Sequence, residues 1–322
     1  MTEYRTIGFI LLEGLKLSNV NAEANFYVFG FPAVTGFTGF GHWLELKLNE
    51  ELTNKFRVEG VGIISHSFSM HAGRPKCPTQ LEGLFEKSKS SKNRPKCPTQ
   101  LEGEKYKANP PIVDEAKADL SVSLVLRTTV VEASRFRPGM PNHFSEFEKV
   151  WLKSNKLKSL INASVICGGG VSNFKDVKYF LEKELVESLK RIKGGYFLRD
   201  RIDLLENRNG KNPLDLIFEY LTAFRNKEDP NHFKRKQGGW IVPLAVGYQG
   251  IETPKKRTGV RKGYEHMYAE PLVGLGEFVH IKKFLYQESF NFDNFFWQHF
   301  FQPEYNIYYV STKIGGSDDE NT

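Results

Sequence analysis

The sequence lacks any apolar run of the roughly eighteen or more residues that mark a membrane-spanning helix. It also lacks an opening segment that is charged and then apolar, because Gly14 and Lys16 interrupt its first apolar stretch. These absences exclude a helical membrane span and predict a soluble, cytoplasmic protein without an export signal. With 322 residues and 40% hydrophobic content, the chain can bury a large core in one elaborated domain or in two.

Cysteine is also scarce, and neither cysteine nor histidine stands at the spacing of a reactive site. None of Cys77, Cys97 and Cys167 belongs to a C-x-x-C pair or to a zinc-ligand pattern, which fits a reducing compartment. The eight histidines form no H-E-x-x-H motif. Glycines 168–170 are not followed by the Lys-Ser/Thr of a phosphate-binding loop, so they form either a tight turn or a backbone contact to a phosphate. The sequence therefore predicts no metal, no cofactor and no enzymatic activity.

Positive charge, by contrast, is abundant and concentrated. The chain carries a net charge of +7, and residues 233–264 contain eight cations against the single carboxylate of Glu252. A solvated surface usually mixes both signs, whereas a cluster of one sign favours a polyanion such as nucleic acid. The cations of this basic stretch are Lys234, Arg235, Lys236, Lys255, Lys256, Arg257, Arg261 and Lys262.

A ten-residue segment, RPKCPTQLEG, occurs at residues 74–83 and again at 94–103. Its prolines and the Lys/Ser spacer between the copies exclude a regular element, so residues 72–110 are predicted to form a long basic loop. Cations of the loop could follow a phosphate backbone, or the loop could be an exposed insertion without a ligand. The candidate contacts in the repeats are Arg74, Lys76, Arg94 and Lys96.

The first elements follow from hydrophobic periodicity. Residues 7–17 read as a strand that Gly14 interrupts, followed by an Asn-rich turn and a helix whose apolar residues recur at three- and four-residue steps from Phe37 to Leu52. Glycines 36, 39 and 41 of that helix indicate either close packing on a sheet or contact with a ligand backbone. Strands are predicted at residues 58–70 and 120–131.

From residue 142 the pattern becomes helical, with helices predicted near Trp151, over 177–192 and after Asn212. Apolar, β-rich residues 240–246, a glycine turn at 274–276 and a strand at 307–310 follow. This order predicts an α+β fold, with a ferredoxin-like, RRM-like sheet interrupted by a helical lobe and a long basic loop. The expected parts are a sheet lobe at 1–138 carrying the loop at 72–110, a helical insertion at 139–235, a returning sheet lobe at 236–315 and an acidic tail at 316–322.

An ordered set of motifs resembles the family of subunit two of the Csy complex, the type I-F CRISPR surveillance complex, which belongs to the Cas-five superfamily. The motifs are NVNA at 19–22, GFPA at 30–33, FTGF at 37–40 with His42, GVGIISH at 60–66, GG at 168–169, GWIVP at 239–243, GY at 247–248 and GLGE at 274–277. They span nearly the whole chain, whereas residues 72–110 depart from the family pattern.

The resemblance implies a non-catalytic subunit that binds the 5′ handle of the crRNA and caps the complex beside the large subunit and a backbone subunit. The complex would engage target DNA in antiviral defence. Asn19 and Asn21 are suited to reading base edges, although plain turn chemistry also explains them. Gly39 and Gly41 could admit a nucleotide to the backbone. The expected phosphate contacts are Lys255, Lys256, Arg257, Arg261 and Lys262.

Three alternatives remain open at this point. The chain could be a variant subunit that also contacts the PAM duplex, or a non-specific nucleic-acid-binding scaffold. Because some relatives in other CRISPR types cut RNA, it could also be a metal-independent endoribonuclease of precursor crRNA, with His66 or His42 as general base.

Overall fold

The computed structural model describes residues 4–25, 27–52, 55–71, 116–132, 147–206, 210–225, 233–235, 239–260, 263–286 and 292–312. Its strands in chain order are β1 (Tyr4–Asn21), β2 (Glu23–Asn25), β3 (Val28–Phe29), β4 (Lys55–Met70), β5 (Lys117–Glu132), β6 (Val165–Ile166), β7 (Gly169–Asn173), β8 (Asp176–Leu181), β9 (Tyr196–Asp200), β10 (Ala223–Arg225), β11 (Phe233–Arg235), β12 (Trp240–Gly250), β13 (Ala269–His280), β14 (Gln298–Gln302) and β15 (Ile307–Ser311). Its α-helices are α1 (Val34–Asn49), α2 (Lys156–Asn162), α3 (Leu185–Lys190), α4 (Asp203–Glu206), α5 (Pro213–Leu221) and α6 (Ile281–Leu285), and a π-helix (Glu148–Leu152) precedes α2.

Eleven strands form one curled antiparallel sheet, so the chain has an α+β fold. The spatial order is β14-β15-β12-β13-β9-β4-β5-β1-β7-β6, and β8 pairs with another part of the edge of β1 that β7 occupies. At the centre, β5 pairs with β1 from Tyr4↔Glu132 to Asn21↔Lys117, and with β4 along nearly its whole length. The strands predicted at residues 7–17, 58–70 and 120–131 are confirmed, and β1 continues through Gly14 as a bulge.

Helix α1 covers one face of this central sheet. Its buried residues Phe37, Phe40, Leu44 and Leu48 recur at helical spacing and pack into one core with apolar residues of β1, β4 and β5. The π-helix and α2 contribute to the same core, so both helical segments lie on the same face. The helix ends at Asn49, whose side chain exchanges two hydrogen bonds of 2.8 Å with the backbone of Phe56 at the start of β4.

The opposite face of the central sheet is buried as well. Phe9, Ile64 and Val125 point to this side and pack against α3, α6 and the residues that precede β14. Burial on both faces explains why the central strands read as nearly continuous apolar runs. A simple RRM-like sheet leaves this face open to solvent, whereas here the second core covers it.

Part of the sheet closes on itself through Trp297. β4 pairs with β9, and the ladder continues through β13, β12, β15 and β14. Trp297, just before β14, then exchanges two backbone hydrogen bonds of 3.0 Å with Val61 of β4, so six strands form a ring. The indole of Trp297 is fully buried and donates a 3.0 Å hydrogen bond to the carbonyl of Leu198.

The structure corrects the helical character expected for residues 139–235. This segment supplies β6, β7, β8 and β9 to the main sheet, and the helix predicted over 177–192 is β8 followed by a short turn and α3. The error arose because residues four apart share one face of a strand as well as of a helix: Val177 and Leu181 both pack into the core on the α1 side, and Leu185 and Leu189 of α3 continue the same spacing. The helix after Asn212 is confirmed, with the Asn212 side chain accepting from the Leu214 amide at 2.9 Å.

The glycine turn predicted at 274–276 is also wrong, because these residues lie inside β13. A Cβ on Gly276 would stand 2.4 Å from Leu244 Cδ1 and 3.1 Å from Leu198 Cδ1, so this glycine makes room for side chains of the two neighbouring strands, β12 and β9. The strands expected at 240–246 and 307–310 are confirmed as β12 and β15. The boundary at 138, the whole of the predicted basic loop and the acidic tail lie outside the described residues.

The ring closure predicts that Trp297 is a main determinant of stability. Trp297→Ala should lower the free energy of unfolding by about 3–5 kcal/mol, because it leaves a cavity and removes the donor to Leu198. Trp297→Phe keeps most of the ring volume and should cost about 1–3 kcal/mol. Urea denaturation measures both, with the exposed Tyr305→Ala as a control expected within about 0.5 kcal/mol of the parent. Equal losses for Trp297→Ala and the control would refute this role.

Candidate nucleic-acid interface

Asn19 and Asn21 lie in the last residues of β1, so the Asn-rich turn predicted there is wrong. Pairing with β5 extends β1 to Asn21, and Asn19 forms a bulge with a left-handed φ of 61°. The amide of Asn19 donates to Asp119 Oδ1 at 3.3 Å. The amide of Asn21 donates to the Cys167 carbonyl at 2.9 Å, and its side-chain oxygen accepts from Lys117 Nζ at 2.6 Å.

Both asparagine side chains are exposed to solvent. Within the described ranges, the Asn21 side-chain NH2 and the whole Asn19 side-chain amide have no hydrogen-bond partner. A free amide can donate to and accept from the edge of a base, and Lys117 adds a positive charge beside Asn21. The end of β1 therefore presents groups suited to an unpaired nucleotide.

The tight turn that one of the two sequence interpretations predicted lies between β6 and β7: Gly168 belongs to it, and Gly169 and Gly170 begin β7. Gly168 has a left-handed φ of 78°, and a Cβ there would stand 2.8 Å from the Asn21 side chain. A Cβ on Gly169 would stand 2.6 Å from the Ser18 carbonyl oxygen. The turn thus packs against the end of β1 and supports Asn21 from one side.

The three glycines of α1 have different surroundings. A Cβ on Gly36 would stand 2.7 Å from Cys167 Sγ, and one on Gly41 would stand 3.0 Å and 3.1 Å from methyl groups of Val61 and Val58. Close packing therefore explains Gly36 and the buried Gly41. Gly39 is exposed, and a Cβ there would meet nothing within 4 Å. Of the two glycines expected to meet RNA, only Gly39 has an open surface.

Residues 251–268 connect β12 to β13 and carry Lys255, Lys256 and Arg257 of the basic stretch, whereas Lys234 and Arg235 lie in β11. Glu252 accepts hydrogen bonds from Lys255 Nζ at 2.8 Å, from the Tyr268 amide at 2.9 Å and from the Arg257 guanidinium. The Lys255 ammonium, with these other donors, lowers the pKa of Glu252 to about 2. Arg257 also stacks over the Tyr268 ring at 4.5 Å. Lys256 is exposed and forms no ion pair with any described residue.

The structure does not bring all the predicted contacts together. The basic connection follows Gly250, the last residue of β12. Trp240, the first residue of β12, lies about 33 Å from Gly250 along the strand. Phe31 links the Trp240 end to the asparagines, because the Gly30 amide donates to the Ala22 carbonyl at 2.8 Å and Phe31 packs on Phe278. The six candidate contacts outside the described residues are Arg74, Lys76, Arg94, Lys96, Arg261 and Lys262.

The sequence analysis missed a row of aromatic rings on the α1 side of the sheet. Successive ring centroids are 6.3, 5.3, 5.4, 5.7 and 5.6 Å apart. The members of this aromatic row, in order, are Phe68, Phe31, Phe278, Trp240, Tyr196 and His280. At one end of the row, Phe68 pairs with Leu120 near the start of β5, close to Lys117 and the asparagines. Trp240 and Tyr196 each follow a glycine at a strand start, a signal that could have drawn attention to them.

His66 and His42, the candidate general bases, have different surroundings. His66 Nε2 is 2.7 Å from Ser123 Oγ, which is buried and also accepts from the Gly14 amide at 3.0 Å. Burial lowers the pKa of His66. The pair thus braces the bulge of β1, and the buried hydroxyl cannot reach a substrate. His42 lies exposed on α1.

In the described part of the chain, no group of three or more His, Cys, Asp or Glu side chains is arranged to hold a metal ion. None of the helices found there combines the length and the apolar character needed to cross a membrane.

His66 predicts a component of the pH dependence of stability. Its pKa in the folded protein lies below the unfolded value of about 6.5, so the unfolded state binds more protons. Its contribution is complete above about pH 6.5 and is lost as the pH falls towards the folded pKa. The free energy of unfolding should therefore fall less between about pH 7 and pH 5 in His66→Gln than in the parent. His42→Gln is the control, and an unchanged slope in His66→Gln would contradict the assignment.

Comparison with known proteins agrees with the motifs and with their placement along the fold. A model of the Cas_Csy2 family of CRISPR-associated proteins matches residues 10–310. CRISPR-associated protein Csy2 of Pseudomonas aeruginosa strain UCBPP-PA14 is 21% identical over 336 aligned residues, which cover 94% of this chain and 94% of that protein. The resemblance to subunit two of the type I-F Csy complex is thereby confirmed. Since the family model spans almost the entire sequence, the chain belongs to the Csy2 family of CRISPR-associated proteins.

Proposed function

We propose that this chain binds the 5′ handle of the crRNA and caps that end of a type I-F CRISPR surveillance complex, without a catalytic role of its own. The observation that carries the proposal is the exposed polar end of β1, next to the aromatic row, where Asn21 lies beside Lys117 and Asn19 lies beside Asp119. Amides, a cation and aromatic rings are the groups with which proteins hold unpaired RNA bases. Membership of the Csy2 family supports the same assignment.

The topology supports an RNA-binding module of the ferredoxin-like or RRM-like type. The elements β1-α1-β4-β5-α2-β8 follow one another, and their strands stand in the spatial order β4-β5-β1-β8 with antiparallel pairing throughout. Helices α1 and α2 cover the same face, as in that fold. Because α3 and α6 cover the other face, RNA would contact the ends of the strands instead of a sheet face.

The expected partners follow from the same proposal. They are the crRNA, a backbone subunit and the large subunit of the complex, with target DNA engaged through the complex in the cytoplasm. The connection after β12 would contribute phosphate contacts, chiefly through Lys256, because Lys255 and Arg257 are already ion-paired with Glu252. A nuclease role has no support from His66, whose hydroxyl partner is buried.

The proposal predicts that the chain, co-expressed with its partner subunits and a CRISPR array, co-purifies with RNA of one defined length. That RNA should carry the complete handle, because the chain holds the handle and does not cut it. Gel analysis and sequencing of the bound RNA provide the measurement. Heterogeneous nucleic acid would favour a scaffold, and trimming of a precursor by the purified chain alone would favour a nuclease.

Handle recognition is tested more sharply by Asn19→Ala combined with Asn21→Ala. Removing both amides changes no charge, so affinity for the native handle should fall by about tenfold or more, while affinity for a scrambled handle of equal length stays the same. Gln249→Ala removes an exposed amide from the far end of β12 and is the matched control. A double variant that still prefers the native handle would refute base reading by these residues.

Replacing Gly39 with alanine should raise the stability of the protein and lower its affinity for RNA. Gly39→Ala meets no neighbour and should stabilise the exposed helix by about 0.5–1 kcal/mol, because alanine loses less backbone entropy on folding. If a nucleotide approaches the backbone there, the added methyl group should weaken handle binding. Thermal unfolding and RNA titration give the two readouts, and Leu46→Ala on the exposed surface of α1 is the control. Unchanged binding in Gly39→Ala would remove Gly39 from the interface.

A further inference from the structure

The two ends of the aromatic row differ in their exposure. Phe31 is buried and Phe68 and Phe278 are partly buried, so this part of the row belongs to the edge of the core. Trp240 is 54% exposed and Tyr196 is 40% exposed, although both begin strands inside the main sheet. Exposed apolar surface of this kind often marks a binding site, so we examine Trp240 and Tyr196 as the contact surface for a ligand.

The ring geometry at this open end leaves the Trp240 face unstacked. Trp240 meets Tyr196 at an interplanar angle of 74° and Phe278 at 57°, and Tyr196 meets His280 at 90°. No ring in the described part of the chain lies parallel to Trp240. The Trp240 indole N–H, the Tyr196 hydroxyl and the His280 nitrogens also have no hydrogen-bond partner among the described residues. A planar ligand with polar edges would satisfy both the open face and these groups.

The charge beside the open end identifies the class of ligand. The Ile281 amide donates to the Gly195 carbonyl at 2.9 Å, which joins the start of α6 to the turn before Tyr196. Lys193 in that turn and Lys282 and Lys283 in α6 are exposed, and none forms an ion pair with a described residue. Planar rings flanked by uncompensated cations suit an unpaired base with phosphates on either side, and an apolar protein surface would not need the cations.

We propose that Trp240, Tyr196 and His280 form a stacking site for one unpaired base of single-stranded RNA, whose flanking phosphates lie near Lys193, Lys282 and Lys283. The proposal rests on the proposed function, because the RNA in question is the guide. It extends the interface from the asparagines at the end of β1 along the aromatic row. The site reads no sequence by itself, because every base has a face that can stack.

The experiment uses the complete chain in its reconstituted complex with guide RNA, in three variants. Trp240→Ala removes the stacking face and should weaken RNA binding by about fivefold to 100-fold. Trp240→Phe keeps a ring and should bind within about threefold of the parent. Phe301→Ala, which removes an exposed ring from β14, is the matched control and should leave affinity unchanged.

Tryptophan fluorescence supplies an independent readout. Of the four tryptophans, Trp151 and Trp297 are buried and Trp43 is partly buried, so Trp240 is the one open to a stacked base. RNA should quench the fluorescence of the parent, and the quenching should be lost in Trp240→Phe although that variant still binds. Quenching that survives in Trp240→Phe would overturn the proposal.

The outcomes also separate this proposal from the proposed function. If the parent retains defined guide RNA and Trp240→Ala binds it equally well, the stacking site is wrong and the proposed function stands. If Trp240→Ala binds RNA normally but loses a partner subunit, the row is a protein interface and the proposal is overturned. If the parent binds no single-stranded RNA, both fall.

Discussion

The pair of hydrogen bonds between Trp297 and Val61 is the constraint on which the rest of the structure depends. It joins the last strands of the chain to the second long strand, and it turns an open sheet into a closed ring of six strands. Without that closure, β12 and β13 would be joined to the strands beneath α1 only through the short pairing of β9 with β4. With it, Phe278 and Trp240 line up with Phe31, and residues more than 200 positions apart in sequence share one surface.

Sequence reasoning succeeded where one local signal decided the structure. The apolar spacing of α1, the β-rich runs of β4 and β5, and the helix start at Asn212 all carry their information within a few residues. It failed in β8 and β13, where tertiary contacts decide. In β8, Val177 and Leu181 share one face of the strand at a separation that also fits a helix. In β13, Gly274 and Gly276 make room for Val246 and Leu244 of β12 instead of forming a turn. The sequence of one strand does not show which side chains of the neighbouring strands will pack against it.

The candidate site was predictable in its residue types and only partly in its arrangement. Asn19, Asn21 and Gly39 lie on open surface, as a ligand contact requires, although β1 carries the asparagines where a turn was expected. Charge counting could not show that Lys255 and Arg257 are both ion-paired with Glu252, which leaves Lys256 as the unpaired cation among these three. The aromatic row escaped notice because most aromatic side chains in a chain this rich in phenylalanine lie in the core. Exposure, which distinguishes Trp240 from Trp297, exists only after folding.

The pairing of β4 with β5 also explains why this part of the chain tolerates extra sequence. Met70 faces Ala118 in the ladder, and the His71 amide bonds to the Lys117 carbonyl at 2.8 Å, so the ends of the intervening segment are held together by the sheet itself. Once the ends are fixed, doubling the length between them costs only about 0.6 kcal/mol of chain entropy. A tandem copy of ten residues is therefore close to neutral for folding. Residues could therefore be added between Met70 and Lys117 at little cost to the stability of the fold.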